Sequence, residues 1–361
     1  MKVAIVTLVR PYEGSGDGIT EYTYQIYQKL KGKAQIDLVY PLSNLKRQDT
    51  LGLVYANSLF KLKIKRLAKK DYDVIHIAHP ELGFAARMLR EGGSKARIVS
   101  CIHDLMRLDS GFHKGVMQGA YNYIVSASIR DAINYSNFII FTSSSVQKDV
   151  LSRFKEIKDW STTLLGTKDY FLTTQIPKKP RRKEFKVGYI GSFAYHKNVI
   201  FILKTALELR KNSEIKFLIY GTGAEKEHLH SYKGEMNLTN VTFMGFAPED
   251  KLLQIYDGFD AFFWPSIGDS SSFPIEDAKA RGLPIVVAKN NIFDEEVRKY
   301  AFEAKDPREA AKVLVALKAK GFGKKMSAAE IKYAESISWS NTARKTLDIY
   351  TKLGKSKGKR A

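Results

Sequence analysis

Cysteine is all but missing from this 361-residue chain: Cys101 stands alone, which excludes a disulfide framework and any zinc site built on several thiolates. A lone thiol suits a reducing compartment, and a cytoplasmic location is the expectation. No apolar run approaches the roughly 20 residues needed to span a bilayer. The first apolar stretch, Val3–Val9, stops at Arg10-Pro11, so it reads as a strand and not as a leader. The phosphate-cradling G-x-x-x-x-G-K-S/T sequence, H-E-x-x-H and G-x-S-x-G are all absent, which leaves P-loop, zinc-hydrolase and serine-hydrolase chemistry without support.

Acids are also scarce, 38 Asp and Glu against 59 Lys and Arg, for a formal charge of +21. Apolar residues are plentiful at 44%, with 12% aromatic, so packed cores are expected. The length fits two domains of roughly 100–200 residues each. Three segments hold most of the excess charge: Lys61–Lys70 (KLKIKRLAKK), Lys178–Lys183 (KKPRRK) and the tail Gly354–Ala361 (GKSKGKRA). The second, with Pro177 before it and Pro180 within it, reads as a linker and the third as a solvated end. In the first, Phe60, Ile64 and Leu67 recur at i, i+4 and i+7, which makes an apolar helical stripe among cations. Two readings stay open. One is a surface helix of a domain; the other is a helix lying on an anionic membrane, the inner face of the cell membrane, through Lys61, Lys63, Lys65, Arg66, Lys69 and Lys70.

Short strands alternate with helical stretches. Lys2–Leu8, Gln35–Tyr40, Asp73–Ile77, Ala96–Cys101 and Asn137–Phe141 form one series. Lys186–Ile190, Lys216–Tyr220, Val241–Phe243, Asp260–Phe263 and Pro284–Val287 form another. That alternation predicts an α/β chain with two doubly wound, Rossmann-like domains facing across a cleft. The expected boundaries are residues 1–176, a basic linker at 177–185, a second domain at 186–337, and a closing helix with its tail at 338–361 that returns to the first domain.

Gly14-Ser15-Gly16-Asp17-Gly18 lacks the third glycine of a dinucleotide fingerprint, and Tyr40-Pro41 stand where an acid would follow strand two. NAD binding is therefore not expected; backbone N–H groups near Gly16 and Gly18 suit an anion instead. His103, directly after a strand, falls at the sheet's carboxyl edge, where it is either a structural hydrogen-bonder or a cleft residue.

From Trp264 the chain reads WPSIGDSSSFPIEDAKARGLPIVV, with Asp269 on a loop and Asp277 in the opening of a helix. This stretch resembles the P-S-x-x-E-G-F-G-x-P-x-x-E-A-x-A-x-G-x-P-V segment of GT-B glycosyltransferases of the family-4, or group 1, type. Asp269 falls at the first glutamate of that pattern, and Asp277 at the second. Gly191–Asn198 (GSFAYHKN) is similar to the family's G-R-L-x-x-x-K-G, with Lys197 at its lysine. Gly221-Thr222-Gly223, Val241–Phe246 (VTFMGF), Asp17-Gly18 with Glu21, His103-Asp104 and the last helix also match family segments in order.

The resemblance implies retaining transfer of a sugar from a nucleoside-diphosphate donor, with no metal or cofactor; the acceptor is expected to be a saccharide or, because of the basic helix, a lipid-linked one at the membrane surface. It implies catalytic roles for Asp269, His103 and Lys197. Donor contacts are implied for Gly16, Gly18, Ser192, Lys197, Gly221, Gly223, Met244, Gly245, Phe246, Ser271, Ser272, Phe273 and Asp277. Lys197 would hold the diphosphate, Asp269 the hydroxyls of the moving sugar, and Asp277 the ribose, although Glu276 adjoins it and could take that place. Three departures stand out. Both family glutamates are aspartates, Ser192 replaces an arginine, and Ser270-Ser271-Ser272 replaces G-F-G. They motivate a second reading, a non-catalytic relative that binds nucleotide or glycan. A third, nucleic-acid binding, has charge in its favour but no recognisable module, and no specific nucleic-acid partner is expected.

Overall fold

A computed structural model describes residues 1–12, 18–41, 50–103, 116–177, 183–269, 272–289 and 293–357. Gly16, Asp104 and Ser271, the core of the basic linker and the last four residues of the tail lie outside them. Contacts divide the chain into two units: Met1–Leu165 together with Trp339–Ala361, and Gly166–Ser338.

The first unit runs β1 (Lys2–Val6), α1 (Gly18–Leu30), β2 (Gln35–Val39), α2 (Thr50–Ala68), β3 (Val74–Ile77), α3 (Phe84–Glu91), β4 (Arg97–Ile102), α4 (Val116–Tyr135), β5 (Phe138–Phe141), α5 (Ser144–Arg153) and β6 (Trp160–Thr162). The strands form one sheet in the order β2-β1-β3-β4-β5-β6, all pairs parallel. Parallel strands covered on both faces must be apolar throughout. VIHI in β3 and FIIF in β5 are buried at every position. Ser143 caps α5 by accepting from Val146 N, supplying one of the helix's orphan donors with an acceptor.

The stripe on α2 resolves the two readings of that helix. Phe60, Ile64 and Leu67 are buried in the same core as Ile75, Ile77 and Leu89, while Lys61, Lys65, Arg66, Lys69 and Lys70 are exposed. Burying such a side chain is worth about 1.5–3 kcal/mol. Withdrawing three of them to lie on a membrane would consume much of the roughly 5–15 kcal/mol that holds a domain together. The stripe belongs to the domain core, and α2 turns its lysines and arginine outward together with Leu59 and Leu62.

The second unit runs α6 (Asp169–Thr173), β7 (Phe185–Ile190), α7 (Val199–Glu208), β8 (Ile215–Tyr220), α8 (Lys226–Glu235), β9 (Val241–Gly245), α9 (Leu252–Asp257), β10 (Ala261–Trp264), α10 (Phe273–Ala280), β11 (Ile285–Ala288), α11 (Glu295–Tyr300), β12 (Ala301–Ala304), α12 (Pro307–Lys320) and α13 (Lys324–Ser336). Its parallel sheet has the order β12-β11-β10-β7-β8-β9. The order reverses between β7 and β10, so the loops after those two strands leave the sheet side by side. A doubly wound sheet binds its ligand at such a reversal.

The boundary lies earlier than residue 176. Arg281, almost wholly buried, donates to the carbonyls of Phe171, Thr174 and Gln175 and to both carboxylate oxygens of Asp257. That grip fixes α6 and its flank to the second unit. The chain returns to the first unit as α14 (Trp339–Lys357), which packs on α1 and β3. There Tyr350 meets buried His76.

Candidate functional site

The reversal in the second sheet collects the residues singled out by the motifs. After β7 the chain passes Gly191 and Ser192, turns at Tyr195–Lys197 and enters α7 through Asn198, whose backbone is left-handed at φ 53°. Asparagine tolerates that conformation better than most residues. After β10 the chain passes Pro265 and Ser266 to Asp269. Three hydrogen bonds lock the two loops together: Ser266 Oγ to His196 O at 3.0 Å, Ile267 N to His196 O at 2.9 Å, and Asn198 Nδ2 to Pro265 O at 3.1 Å.

Lys197 and Asp269, 72 positions apart in sequence, meet as a consequence. Lys197 Nζ donates to both carboxylate oxygens at 2.8 Å, and each side chain is 16% exposed. The ammonium also lies 5.0 Å from the Trp264 ring, which stacks on Tyr189. Burial pushes the Asp269 carboxyl up. The charge and hydrogen bonds of Lys197, with smaller help from Ser266 and His196, outweigh it and hold the group below its ordinary value.

The loops after β8 and β9 close around the first. Phe193 N donates to Thr222 O at 2.8 Å and Gly221 N to Gly245 O at 2.7 Å. Only glycine fits at Gly221 and Gly223: a Cβ would stand 1.8 Å from Gly191 O in the first case and 2.8 Å from Phe193 N in the second. Met244 and Phe246 then stand exposed at the end of β9. Ser192 is exposed beside this cluster. At the start of α10, Ser272 is buried, caps no helix N–H with its side chain, and its hydroxyl has no hydrogen-bond partner among the described residues. Phe273 is the first residue of that helix.

The structure separates Glu276 from Asp277. Glu276 pairs with fully buried Lys279 at 3.1 Å on the side of α10 that faces α13, where Lys279 also lies over the Tyr333 ring. Buried Glu330 of α13 lies near the pair. Burial pushes its carboxyl up to about 9; Lys279 draws it down and Glu276 adds to the rise. Glu276 is thus spent on helix packing. Asp277 is buried on α10 and lies near Tyr256, whose phenol is raised by burial and then by that carboxylate.

In the first unit, Gly18 opens α1 and is exposed. His103 follows β4, with Nε2 donating to Ala78 O at 3.0 Å and Nδ1 3.4 Å from Thr142 Oγ1, so both ring nitrogens have partners within the domain. Tyr22 stands edge-on to it at 4.9 Å. Beneath lies His76, driven down to about 3 by burial and by His103, so it is uncharged at neutral pH. Leu38–Pro41, the α2 residues Lys63, Arg66 and Leu67, and Lys70 just beyond that helix border a groove of about 490 Å³, with cations and, among the described residues, no acid in its wall. Among the described residues no cluster of His, Cys, Asp and Glu could hold a metal ion, and no helix is long and apolar enough to cross a membrane.

Motif reading found Lys197, Asp269 and the glycines but passed over Tyr189, Trp264, Ser266 and Asn198, which seat them. Ser266 belongs to the Pro-Ser pair that opens the quoted motif, and Asn198 directly follows Lys197. Both signals were available in the sequence. The stacking of Tyr189 on Trp264 depends on adjacency of β7 and β10, which no local pattern reports.

Two doubly wound parallel sheets, one in each unit, are the architecture of the GT-B fold. Comparison with known proteins agrees: the profile described as Glycosyltransferase Family 4 matches residues 18–160, and that described as Glycosyl transferases group 1 matches residues 184–319. The chain belongs to this glycosyltransferase family. A glycosyltransferase of Methanocaldococcus jannaschii is 25% identical over 174 residues, which are 46% of this chain and 45% of that protein. The chain thus spans less than half the length of that curated relative. Among solved structures, sucrose-phosphate synthase of Thermosynechococcus elongatus shares the fold with a TM-score of 0.76 at 16% identity, over 98% of this chain and 99% of the other. HepE of Anabaena, in complex with UDP and glucose, has a TM-score of 0.74 at 13% identity, over 97% and 99%.

Proposed function

We propose that the protein is a retaining hexosyltransferase that moves a sugar from a nucleoside-diphosphate donor to a saccharide or lipid-linked acceptor. The convergence of Lys197, Asp269 and the glycine loops at the β7–β10 reversal carries this reading. Departure of the diphosphate builds negative charge. Lys197 and the N–H groups that open α10 stabilise it, and the Ser272 hydroxyl is placed to add a hydrogen bond. Asp269 accepts from hydroxyls of the moving sugar and fixes its orientation. Asp277 takes the ribose, and Met244 and Phe246 flank the base. In a retaining transfer of this kind the donor's own phosphate assists the acceptor, so Asp269 is neither nucleophile nor general base, and no metal or cofactor takes part. His103 serves the acceptor side. The complex of HepE with UDP and glucose supports a sugar nucleotide as donor.

The basic groove beside α2 receives an anionic part of the acceptor, such as a lipid-linked phosphate, at the inner face of the membrane. Incubation with a panel of nucleotide sugars and acceptors tests the activity, with the product's anomeric configuration read by NMR. Transfer that is lost in Lys197→Ala and Asp269→Ala with retained configuration is expected; an inverted product would overturn the mechanism. Flotation on vesicles containing anionic lipid tests the membrane reading. A variant with neutral residues at Lys61–Lys70 that floats as well as the native protein would remove it.

Ser192 in place of an arginine favours the second reading, a non-catalytic relative that binds nucleotide or glycan. Any donor–acceptor pair that gives product excludes it.

A further inference from the structure

Lys197 commits itself to Asp269 through both carboxylate oxygens, 2.8 Å each, in surroundings that leave either side chain only 16% exposed. The Trp264 ring, 5.0 Å from the ammonium, borders it on another side. The backbones behind the pair cannot draw apart without breaking the bonds from Ser266, Ile267 and Asn198 that join the two loops. Any exchange of partners therefore takes place at the side-chain tips.

A diphosphate that reaches Lys197 has to displace the carboxylate or share the ammonium with it. The displaced carboxylate then stands beside a group of its own sign, in a place where water screens poorly. It also loses its main partner and keeps only the smaller help of Ser266 and His196, and a half-buried carboxylate without its counter-ion is costly. A hexose on the diphosphate brings hydroxyls that can donate to Asp269. A bare nucleoside diphosphate has only its ribose hydroxyls, which that placement assigns to Asp277, and none beyond the diphosphate.

We infer that Asp269 makes the site discriminate against a nucleoside diphosphate that carries no sugar. With the sugar present, its hydroxyls replace Lys197 as partners of Asp269 and the ammonium passes to the diphosphate. Once the sugar has moved on, Asp269 competes with the product for Lys197, and the ion pair re-forms as the product leaves. Asp269 is thus a specificity-determining residue that sets donor against product, in addition to holding the sugar. The inference rests on the placement of the donor under Proposed function.

Titration calorimetry with UDP, UDP-glucose, GDP and GDP-mannose tests it on the native protein and on Asp269→Asn, Asp269→Ala, Asp269→Glu and Lys197→Met. The native protein is expected to bind one sugar nucleotide at least about tenfold more tightly than the matching diphosphate, a difference of about 1.4 kcal/mol. Removal of the charge in Asp269→Asn or Asp269→Ala should tighten the bare diphosphate by about tenfold and loosen the sugar nucleotide, so that the preference disappears or reverses. Asp269→Glu keeps the charge and should keep the preference, an outcome that a purely structural role for Asp269 would not produce together with tighter diphosphate binding in the other two. Unchanged or weaker diphosphate binding in both uncharged variants would overturn the inference while leaving the donor site intact, provided Lys197→Met weakens both ligands. If Lys197→Met weakens neither, the donor placement falls and the inference with it.

Discussion

Each sheet reverses its strand order once, between β1 and β3 in the first domain and between β7 and β10 in the second, yet the two reversals are furnished differently. Around β3 the groups are aromatic and imidazole rings: buried His76 with Tyr350, the Tyr22 ring, and half-buried His103 held by Ala78 and Thr142. Beyond β7 and β10 stands an ion pair with partial access to water. The same topology thus gathers packed rings at one reversal and an ion pair at the other, and a few side chains decide which.

The contrast can be broken most severely at buried charge. Arg281→Met leaves Asp257 and three carbonyls of the α6 segment without their donor and should cost about 3–5 kcal/mol, read as a lower denaturant midpoint with earlier proteolysis near residues 166–176. Next comes Lys197→Met, expected to lower kcat/KM for the donor by about 10²–10³, or about 2.7–4 kcal/mol, as for loss of one preorganised donor to a developing anion. Initial rates with the donor panel check this, and a loss below about tenfold would show that the charge is not used in the reaction.

Acid and base should act on the two domains in opposite directions. His76, lowered to about 3 when folded, cannot take the proton that the unfolded chain binds below its ordinary 6.5. The first domain therefore loses stability as pH falls through that window. Glu330, raised to about 9, keeps a proton that the unfolded chain releases above its ordinary 4.5. The second domain therefore loses stability as pH rises from there towards 9. Each slope has an upper limit of about 1.4 kcal/mol per pH unit. Hydrogen exchange resolved by domain across pH 4–9 (a range of about five units around these values) should show them, with His76→Phe flattening the first and Glu330→Gln the second. The smallest effect belongs to Arg153, whose ion pair with Asp149 is 40% exposed on both sides. Arg153→Ala should change stability by less than about 1 kcal/mol in a denaturant titration.

Much of this architecture was legible because buried parallel strands are compact apolar runs: FIIF and PIVV stand out without any knowledge of their neighbours. β6 and β12 were not, since WST and AFEA are short, only partly buried edge strands with no such run. The domain boundary was missed for a different reason. Arg281 assigns residues 166–176 to the second domain by binding their carbonyl groups, and carbonyls leave no mark on sequence. At the site, Lys197 and Asp269 were each visible in their motifs, but their pairing was not. It depends on β7 lying beside β10, a consequence of strand order. The stripe at Phe60, Ile64 and Leu67 marked a helix correctly; what it packs against could be learned only from the tertiary structure.

The central claim is that the donor is held at the charged reversal of the second domain. Hydrogen exchange with and without a saturating sugar nucleotide tests it most directly. Protection is expected in the segments at 190–198, 220–223, 241–246 and 264–269, which carry Lys197, the two close-packed glycines, Gly245 and Asp269. Protection confined to the ends of β1, β3 and β4, with those four segments unchanged, would contradict the account.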